Sequence, residues 1–244
     1  MKIKVLGSCS SGNCYLLQSK KETLIIECGV DLRKVMKAID FNISNVVGCL
    51  ISHEHKDHSK YVNGLMNKGI NVYSSPLTFE ALGIDERRNH RAKYIFSEES
   101  IKIGEFKVIP FKTKHDAAEP LGFYIFHPEM GSMLFATDTY YIDYTFKDLN
   151  HIFIECNYSK DILDKKDLPD TLKRRLIKSH FELGNVKTYL KNLDLTTTKE
   201  IVLLHLSDSN SDSNVFRSEI EALTGKPVYI ADKGLEIDLE GYEC

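Results

Sequence analysis

Short apolar runs separated by polar or glycine-containing turns recur along the first half of the chain. Residues 3–8 (IKVLGS), 14–18 (CYLLQ), 23–28 (TLIIEC) and 46–52 (VVGCLIS) read as strands. Between the last two, DLRKVMKAI at 31–39 repeats at helical spacing, with Leu32, Val35, Met36 and Ile39 on one face and Asp31 as its N-cap. A strand at 70–75 (INVYSS) leads to a helix opening at Pro76, and 100–111 (SIKIGEFKVIPF) reads as a strand pair turning at Gly104-Glu105. GFYIFHP, SMLFATD and HIFIECN, between residues 122 and 157, are three further strands. The last third predicts helices over 167–179 and 185–193, a strand at 201–206, a helix through VFRSEIEAL and two closing strands, VYIA and LEIDL. The low-complexity stretch SDSNSDSN at 207–214 is too short for a linker, so the pattern predicts one mixed α/β domain over residues 1–244.

Composition narrows this picture only a little. With 42% hydrophobic and 27% charged residues, the 244-residue chain can bury a core like any ordinary globular protein. No run approaches the roughly 18 consecutive apolar residues of a membrane helix, and Met1-Lys2-Ile3-Lys4-Val5 enters a strand pattern instead of a signal peptide's apolar core. A cytoplasmic location without membrane partners is the expectation. Cys9, Cys14, Cys28, Cys49, Cys156 and Cys244 are scattered without a CxxC pair and read as reduced, mostly buried thiols. A net charge of -3 provides no overall basic footprint for nucleic acid, although a local basic site is compatible with it.

Chemistry enters at GCLISHEHKDHSKYV, residues 48–62, where an apolar strand runs into His53, His55, Asp57 and His58. A strand fixes the start of the loop that follows it, so His53 and His55 can face one way while Asp57 and His58 diverge, an arrangement suited to two adjacent metal ions. Imidazole suits zinc, iron and manganese, and a carboxylate compensates charge or bridges two cations. Two metals need more donors than one loop supplies. His115, Asp138 and His205 each stand at or near the end of an apolar run and are the candidates.

HEHKDH followed by His115, Asp138 and His205 in that order resembles the successive motifs of the metallo-β-lactamase superfamily, over nearly the whole chain. The resemblance implies a four-layer αββα sandwich with its metal site at one edge of two packed sheets. It implies His53, His55 and His115 on one metal, Asp57, His58 and His205 on the other, and Asp138 bridging. GSCSSGNCYLL, HDAAEPLGFYI, IECNYS and HLSDSN further resemble the small bacterial members described as DNA exonucleases, which lack an inserted domain.

Two divalent cations, with zinc expected ahead of manganese or iron, leave the pocket cationic against Asp57 and Asp138, activate water near neutral pH and hold a phosphoryl oxygen. The expected activity is therefore a phosphodiesterase or nuclease, with DNA ahead of RNA as partner. The competing readings are an acyl hydrolase acting on a lactone or thioester, and a non-catalytic metal- or nucleic-acid-binding module. Asp57 and His180 are the candidate catalytic residues, His180 standing where related nucleases carry a histidine that assists the leaving group. Lys165, Lys166, Lys173, Arg174, Arg175 and Lys178 form a basic stretch leading to His180 that can hold a phosphate backbone.

Departures from the pattern lie at Glu27, where aspartate is usual, at His180-Phe181-Glu182-Leu183, where a hydroxyl normally follows the histidine, and at Tyr158-Ser159. Glu155 reads equally as a partner to a ligand histidine or as a plain strand-end carboxylate. His90, His127 and His151 are expected at the surface, and Glu54 and Lys56 are expected to point to solvent.

Overall fold

Period-two alternation buries Ile3, Val5 and Gly7 of β1 (Lys2–Gly7) and leaves their neighbours half exposed. The protein, a computed structural model that describes residues 1–241, continues with β2 (Cys14–Gln18), β3 (Thr23–Ile26), β4 (Val46–Leu50), β5 (Val72–Ser74) and β6 (Ala92–Tyr94). A second sheet holds β7 (Ile101–Ile103), β8 (Phe106–Lys112), β9 (Leu121–His127), β10 (Gly131–Ala136), β11 (His151–Glu155), β12 (Glu200–Leu204) and β13 (Val228–Ile230). The closing strand β14 (Glu236–Asp238) returns to the first sheet beside β1. Among the described residues the sheet orders are β14-β1-β2-β3-β4-β5-β6 and β13-β12-β11-β10-β9-β8-β7.

The inward faces of the two sheets share one apolar layer, in which Val5, Tyr15, Leu17 and Ile26 meet Val108, Phe123, Phe135 and Val202. Tyr15 and Phe135 pack edge to face at 5.1 Å. Helices α1 (Leu32–Ala38), α2 (Lys56–Ser59), α3 (Val62–Asn67) and α4 (Pro76–Ala81) follow strands of the first sheet. Val35, Met36, Leu65 and Phe79 of α1, α3 and α4 bury that sheet's outer face. Later come α5 (Lys160–Asp164), α6 (Asp170–Ser179), α7 (Leu183–Lys191) and α8 (Ser213–Thr224). Val186, Leu190, Phe216 and Ile220 of α7 and α8 cover the second sheet. The layer order is αββα, as the resemblance implies. Asp31 caps α1 as expected, accepting the Arg33 N–H at 2.8 Å, a contact of about 1 kcal/mol.

Several strands stop short of their sequence-predicted ends. The apolar runs continue through Glu27, Asp138 and His205, but these residues adopt φ of 63°, 41° and 52° and the ladders end before them. Non-glycine residues in this region cost about 1–3 kcal/mol each and persist where surrounding structure holds them. All three lie at the same edge of the sandwich.

Two histidines expected at the surface are buried. His151 lies inside the second sheet, with Nδ1 against Glu200 and Nε2 donating to the Met130 carbonyl at 2.8 Å. His127 ends β9 with its ring on Phe106 and Nδ1 accepting the Glu129 N–H at 3.1 Å. A neutral His127 therefore carries its proton on Nε2, which faces Glu22 at 3.7 Å and Glu105 at 3.9 Å as a donor and not as a metal-binding lone pair. Both had the polar neighbours of a surface turn, and only stacking of the second sheet encloses them. His90 is exposed. Glu54, expected in solvent, turns back to accept the Ala118 N–H at 2.8 Å, while Lys56 is exposed. Cys14, Cys28, Cys49 and Cys156 are buried free thiols and Cys9 a partly exposed one; Cys244 lies outside the described residues. Among the described residues no helix is long and apolar enough to cross a membrane.

Candidate metal centre

The parallel strands β3 and β4 of one sheet, and β10, β11 and β12 of the other, deliver Glu27, the His53–His58 loop, Asp138, Glu155 and His205 to one edge. Carboxyl ends of parallel strands are the usual place for such sites, because the sheet fixes each loop's origin. The histidine loop is clamped from below. Asn13 N–H donates to the Asp57 carbonyl and Cys28 N–H to the His58 carbonyl, both at 2.7 Å. Gly29 lies so close that a Cβ on it would stand 1.6 Å from the Asp57 carbonyl oxygen. Gly29→Ala should accordingly displace the loop, lowering bound metal and hydrolysis together by at least about tenfold, the lower range for disturbing the support of a metal site. Metal analysis of the purified variant checks it, and unchanged metal content would contradict the clamp.

Ring nitrogens converge in a pattern that specifies their tautomers. His115 Nδ1 donates to the Ser179 carbonyl at 2.7 Å, which leaves Nε2 as a lone pair. That Nε2 stands 3.1 Å from His55 Nδ1, and His53 Nε2 stands at the same distance from it. His53 is fixed from behind by Ser52 Oγ at 2.8 Å from its Nδ1. Nitrogens on one tetrahedral zinc, at about 2.0–2.1 Å from it, are separated by about 3.3–3.4 Å, close to the spacing here.

A second group adjoins the first. His58 Nε2 lies 3.3 Å from Asp57 Oδ2 and 3.4 Å from Asp138 Oδ1, and its Nδ1 faces the buried Glu27 at 3.6 Å. His205 Nδ1 faces Glu155 at 3.2 Å, and its Nε2 is buried without a hydrogen-bond partner, pointing at Asp57 from 3.6 Å. Asp138 connects the groups: one carboxylate oxygen faces His58 and His205, and the other lies 3.6 Å from His115 Nε2. Donor atoms of His53, His55 and His115 all lie within 4.8 Å of one another, as do those of Asp57, His58, Asp138 and His205. Each set can hold a cation. A partnerless buried Nε2 and three clustered imidazole nitrogens are the donor chemistry that a divalent ion satisfies.

The electrostatics agree. Burial alone would raise the Asp138 carboxyl, but His205 and His58 hold it well below the ordinary range. Burial works against charge on His205 too, yet Asp138, with Asp57 and Glu155, pushes it up to about 10. His58 is raised by Asp138 and Glu27 against its burial, whereas burial and the neighbouring His58 push His53 far down. Four carboxylates, from Glu27, Asp57, Asp138 and Glu155, thus draw positive charge into one buried volume.

All seven sequence-predicted ligand candidates come together here, and His180 joins them. Its Nδ1 is 2.6 Å from Glu155 Oε1, and its ring stacks on His205 and meets His115 edge-on. Glu155, buried at the end of β11, also accepts the Thr139 N–H at 2.8 Å and the Phe181 N–H at 3.1 Å. The strand-end carboxylate is thus a hub of the site. His180 is also the C-cap of α6, so the capping role and the site role coexist in one residue. Where a hydroxyl was expected after it, Glu182 caps α7 instead, accepting the Asn185 N–H at 3.0 Å. Of the basic stretch, Arg175 lines the 320 Å³ cleft over these residues, with Leu172, Leu176 and Ser179. Its guanidinium lies 3.7 Å from Asp116.

Supporting residues escaped the sequence reading. Asn13 Nδ2 lies 3.1 Å from His58 Nε2, and Asn157 Nδ2 donates to the His205 carbonyl at 2.8 Å. Only the tight GNC turn after Ser11 hinted at Asn13.

The two stacked sheets with helices on both outer faces define the class: the chain has the metallo-β-lactamase fold. The metallo-β-lactamase fold protein YhfI from Bacillus subtilis superposes with a TM-score of 0.75 at 19% identity, covering 97% of this chain and 98% of that one. Zn(2+)-bound PqqB from Methylobacterium extorquens superposes with a TM-score of 0.69 at 14% identity, covering 98% and 100%. In sequence, the chain is 29% identical to exodeoxyribonuclease YycJ of Bacillus anthracis over 249 residues, 97% of this chain and 94% of that relative. Residues 1–76 match the family model for the anti-Pycsar protein Apyc1.

Proposed function

We propose that the chain, read as one domain over residues 1–244, is a dinuclear metal-dependent phosphodiesterase acting on nucleic acid, DNA ahead of RNA. The observation that carries this reading is His180 held by Glu155 within the cleft lined by five of the seven donors, His55, Asp57, His115, Asp138 and His205. Similarity to an exodeoxyribonuclease across nearly the whole of both chains supports the substrate class.

In this reading His53, His55 and His115 would hold one divalent cation and Asp57, His58 and His205 the second, with Asp138 available to both groups. Zinc fits the imidazole-rich donors best, with manganese or iron compatible. Such cations, when bound, activate water at neutral pH and draw charge from a phosphoryl oxygen. Asp57, whose carboxylate opens on the cleft, orients the attacking water. His180 donates an Nδ1–H hydrogen bond to the Glu155 carboxylate, and the imidazolium so stabilised delivers its Nε2 proton to the departing alkoxide and is left neutral. Burial opposes that charge on His180, but Glu155 raises its pKa above the usual histidine value. Arg175 faces a non-bridging phosphate oxygen from the cleft wall. An acyl substrate would be better served by a closed apolar chamber than by this open cleft, where Asp116, Arg175 and Ser207 stand beside Leu172, Leu176 and Leu206.

His180→Ala should slow oligonucleotide cleavage by roughly 10²–10⁴-fold, the range for a general acid, and leave metal content unchanged. Metal analysis and single-turnover rates on one preparation check this; an unaltered rate would remove His180 from the chemistry. The reading as a whole is tested by metal content together with hydrolysis of bis(p-nitrophenyl) phosphate and of labelled single-stranded and duplex DNA. Two metals per chain with chelator-sensitive cleavage are expected. Two metals without phosphodiester cleavage would transfer the site to acyl chemistry.

A further inference from the structure

A second and larger cavity, of about 660 Å³, lies on the other side of His205 from the catalytic cleft. His205, Leu206 and Ser207 belong to the walls of both. Three segments far apart in sequence bring a lysine to its lining: Lys34 from α1, Lys60 just after α2, and Lys233 from the turn between β13 and β14. All three are exposed, and no carboxylate lies within salt-bridge distance of any of them among the described residues. Carboxylates are present too, on Asp31, Asp208 and Asp232. Asp31 is already engaged by the Arg33 guanidinium at 3.2 Å and by the start of α1.

Ser8 adds a directed donor. Its Oγ accepts the Tyr15 hydroxyl at 2.7 Å and the His205 N–H at 3.0 Å, so both lone pairs are taken. Its own proton must go to an acceptor outside these partners, and Ser8 lines the cavity. Ser11, Ser207 and Ser211 add further hydroxyls to the lining. Exposed ammonium groups and hydroxyl donors around a roomy polar cavity suit the sugar-phosphate backbone of a nucleic acid. The volume falls in the range of about 300–1,000 Å³ typical of small-molecule pockets, which admits a stretch of one strand and not a duplex.

We infer that this cavity is a second substrate subsite, taking the single-stranded continuation of the nucleic acid beyond the scissile phosphate, with Lys34, Lys60 and Lys233 on its phosphates and Ser8 donating to one of them. The inference rests on the nuclease reading for the identity of the ligand. It places the strand across the centre, with one side against Arg175 and α6 and the other in the cavity.

The test compares wild-type metal-loaded protein with the triple variant K34A/K60A/K233A and with K102A/K107A/K191A, which removes the same charge at exposed sites outside the cavity lining. Binding of a fluorescent single-stranded phosphorothioate oligonucleotide is read by anisotropy at several salt concentrations, and hydrolysis of bis(p-nitrophenyl) phosphate is read in parallel. For the cavity variant, Kd should rise at least tenfold and the log–log salt slope should flatten by about 2, at roughly 0.7 per phosphate contact on a single strand. Its hydrolysis of the small diester should be unchanged, because that substrate occupies the cleft alone, and the control variant should bind like wild type. Equal Kd and slope in the cavity and control variants would overturn the subsite. Failure of the nuclease reading would instead appear as wild-type metal-loaded protein that hydrolyses neither bis(p-nitrophenyl) phosphate nor an unmodified single-stranded oligonucleotide of the same sequence, whatever the binding data show.

Discussion

Asp138→Ala is expected to remove hydrolysis almost completely, by at least about 10²–10³-fold, the range for deleting one preorganised charge at a reaction centre. One oxygen of this carboxylate faces His58 and His205 at 3.4 Å each, and the other faces His115 at 3.6 Å. No other described carboxylate has ring nitrogens of both donor groups within that distance, so its loss separates the two halves of the centre. The backbone at Asp138 is held at φ 41°, and Thr137 Oγ1 donates to its Oδ1 at 2.8 Å, so the carboxylate is aimed before any ligand arrives. Metal content should fall with the rate. Asp57→Ala should match the loss of turnover, and Asp138→Asn, which keeps shape but not charge, should fall between wild type and alanine. A wild-type rate in either alanine variant would end the dinuclear mechanism.

Glu155→Ala should be the most damaging change for stability and activity together. The side chain is fully buried and receives two backbone N–H groups, from Thr139 and Phe181, besides facing the imidazoles of His180 and His205. Deleting it strands several buried donors in the protein interior, at a cost of about 3–5 kcal/mol for breaking such a buried charged network. In a domain of this size that corresponds to a fall in Tm of roughly 10 °C. Activity should drop further than His180→Ala alone, because the His205 tautomer loses its anchor as well, and outer partners of metal ligands are worth about 10–100-fold. Glu155→Gln separates the effects: it retains an acceptor and the volume, so Tm should recover most of the loss while the rate stays low. Thermal unfolding and single-turnover cleavage of the two variants decide this. Equal rates for Glu155→Gln and wild type would reduce Glu155 to a strand-end carboxylate.

Most of the elements were legible in the pattern of apolar positions. Apart from β6, which the pattern does not predict, the strands of both sheets and α1, with its Asp31 cap, fall within a few residues of the spans that periodicity predicts, because side-chain alternation and helical spacing are local properties. The positions where strand patterns overran are the informative exceptions. Glu27, Asp138 and His205 look like ordinary strand-end residues, but in the fold each leaves the ladder in a left-handed conformation at the edge where the site forms. No local pattern encodes such a conformation for a residue with a Cβ; surrounding contacts impose it.

The candidate donors were likewise readable as residue types and order. His53, His55, Asp57 and His58 announce themselves by density, and His115, Asp138 and His205 by their position after apolar runs. What the chain alone determined was therefore the alternation of its elements and the inventory of metal-capable side chains at their ends. Tertiary structure decided which residues fix those side chains: Ser52 behind His53, the Ser179 carbonyl behind His115, Glu27 behind His58, and Glu155 between His180 and His205. It also enclosed His127 and His151, whose polar sequence neighbours suggested solvent. The physical reason is the same in each case. Periodicity and donor chemistry are carried by adjacent residues, whereas tautomer, burial and spacing depend on atoms tens of residues away, and these meet only when the two sheets stack.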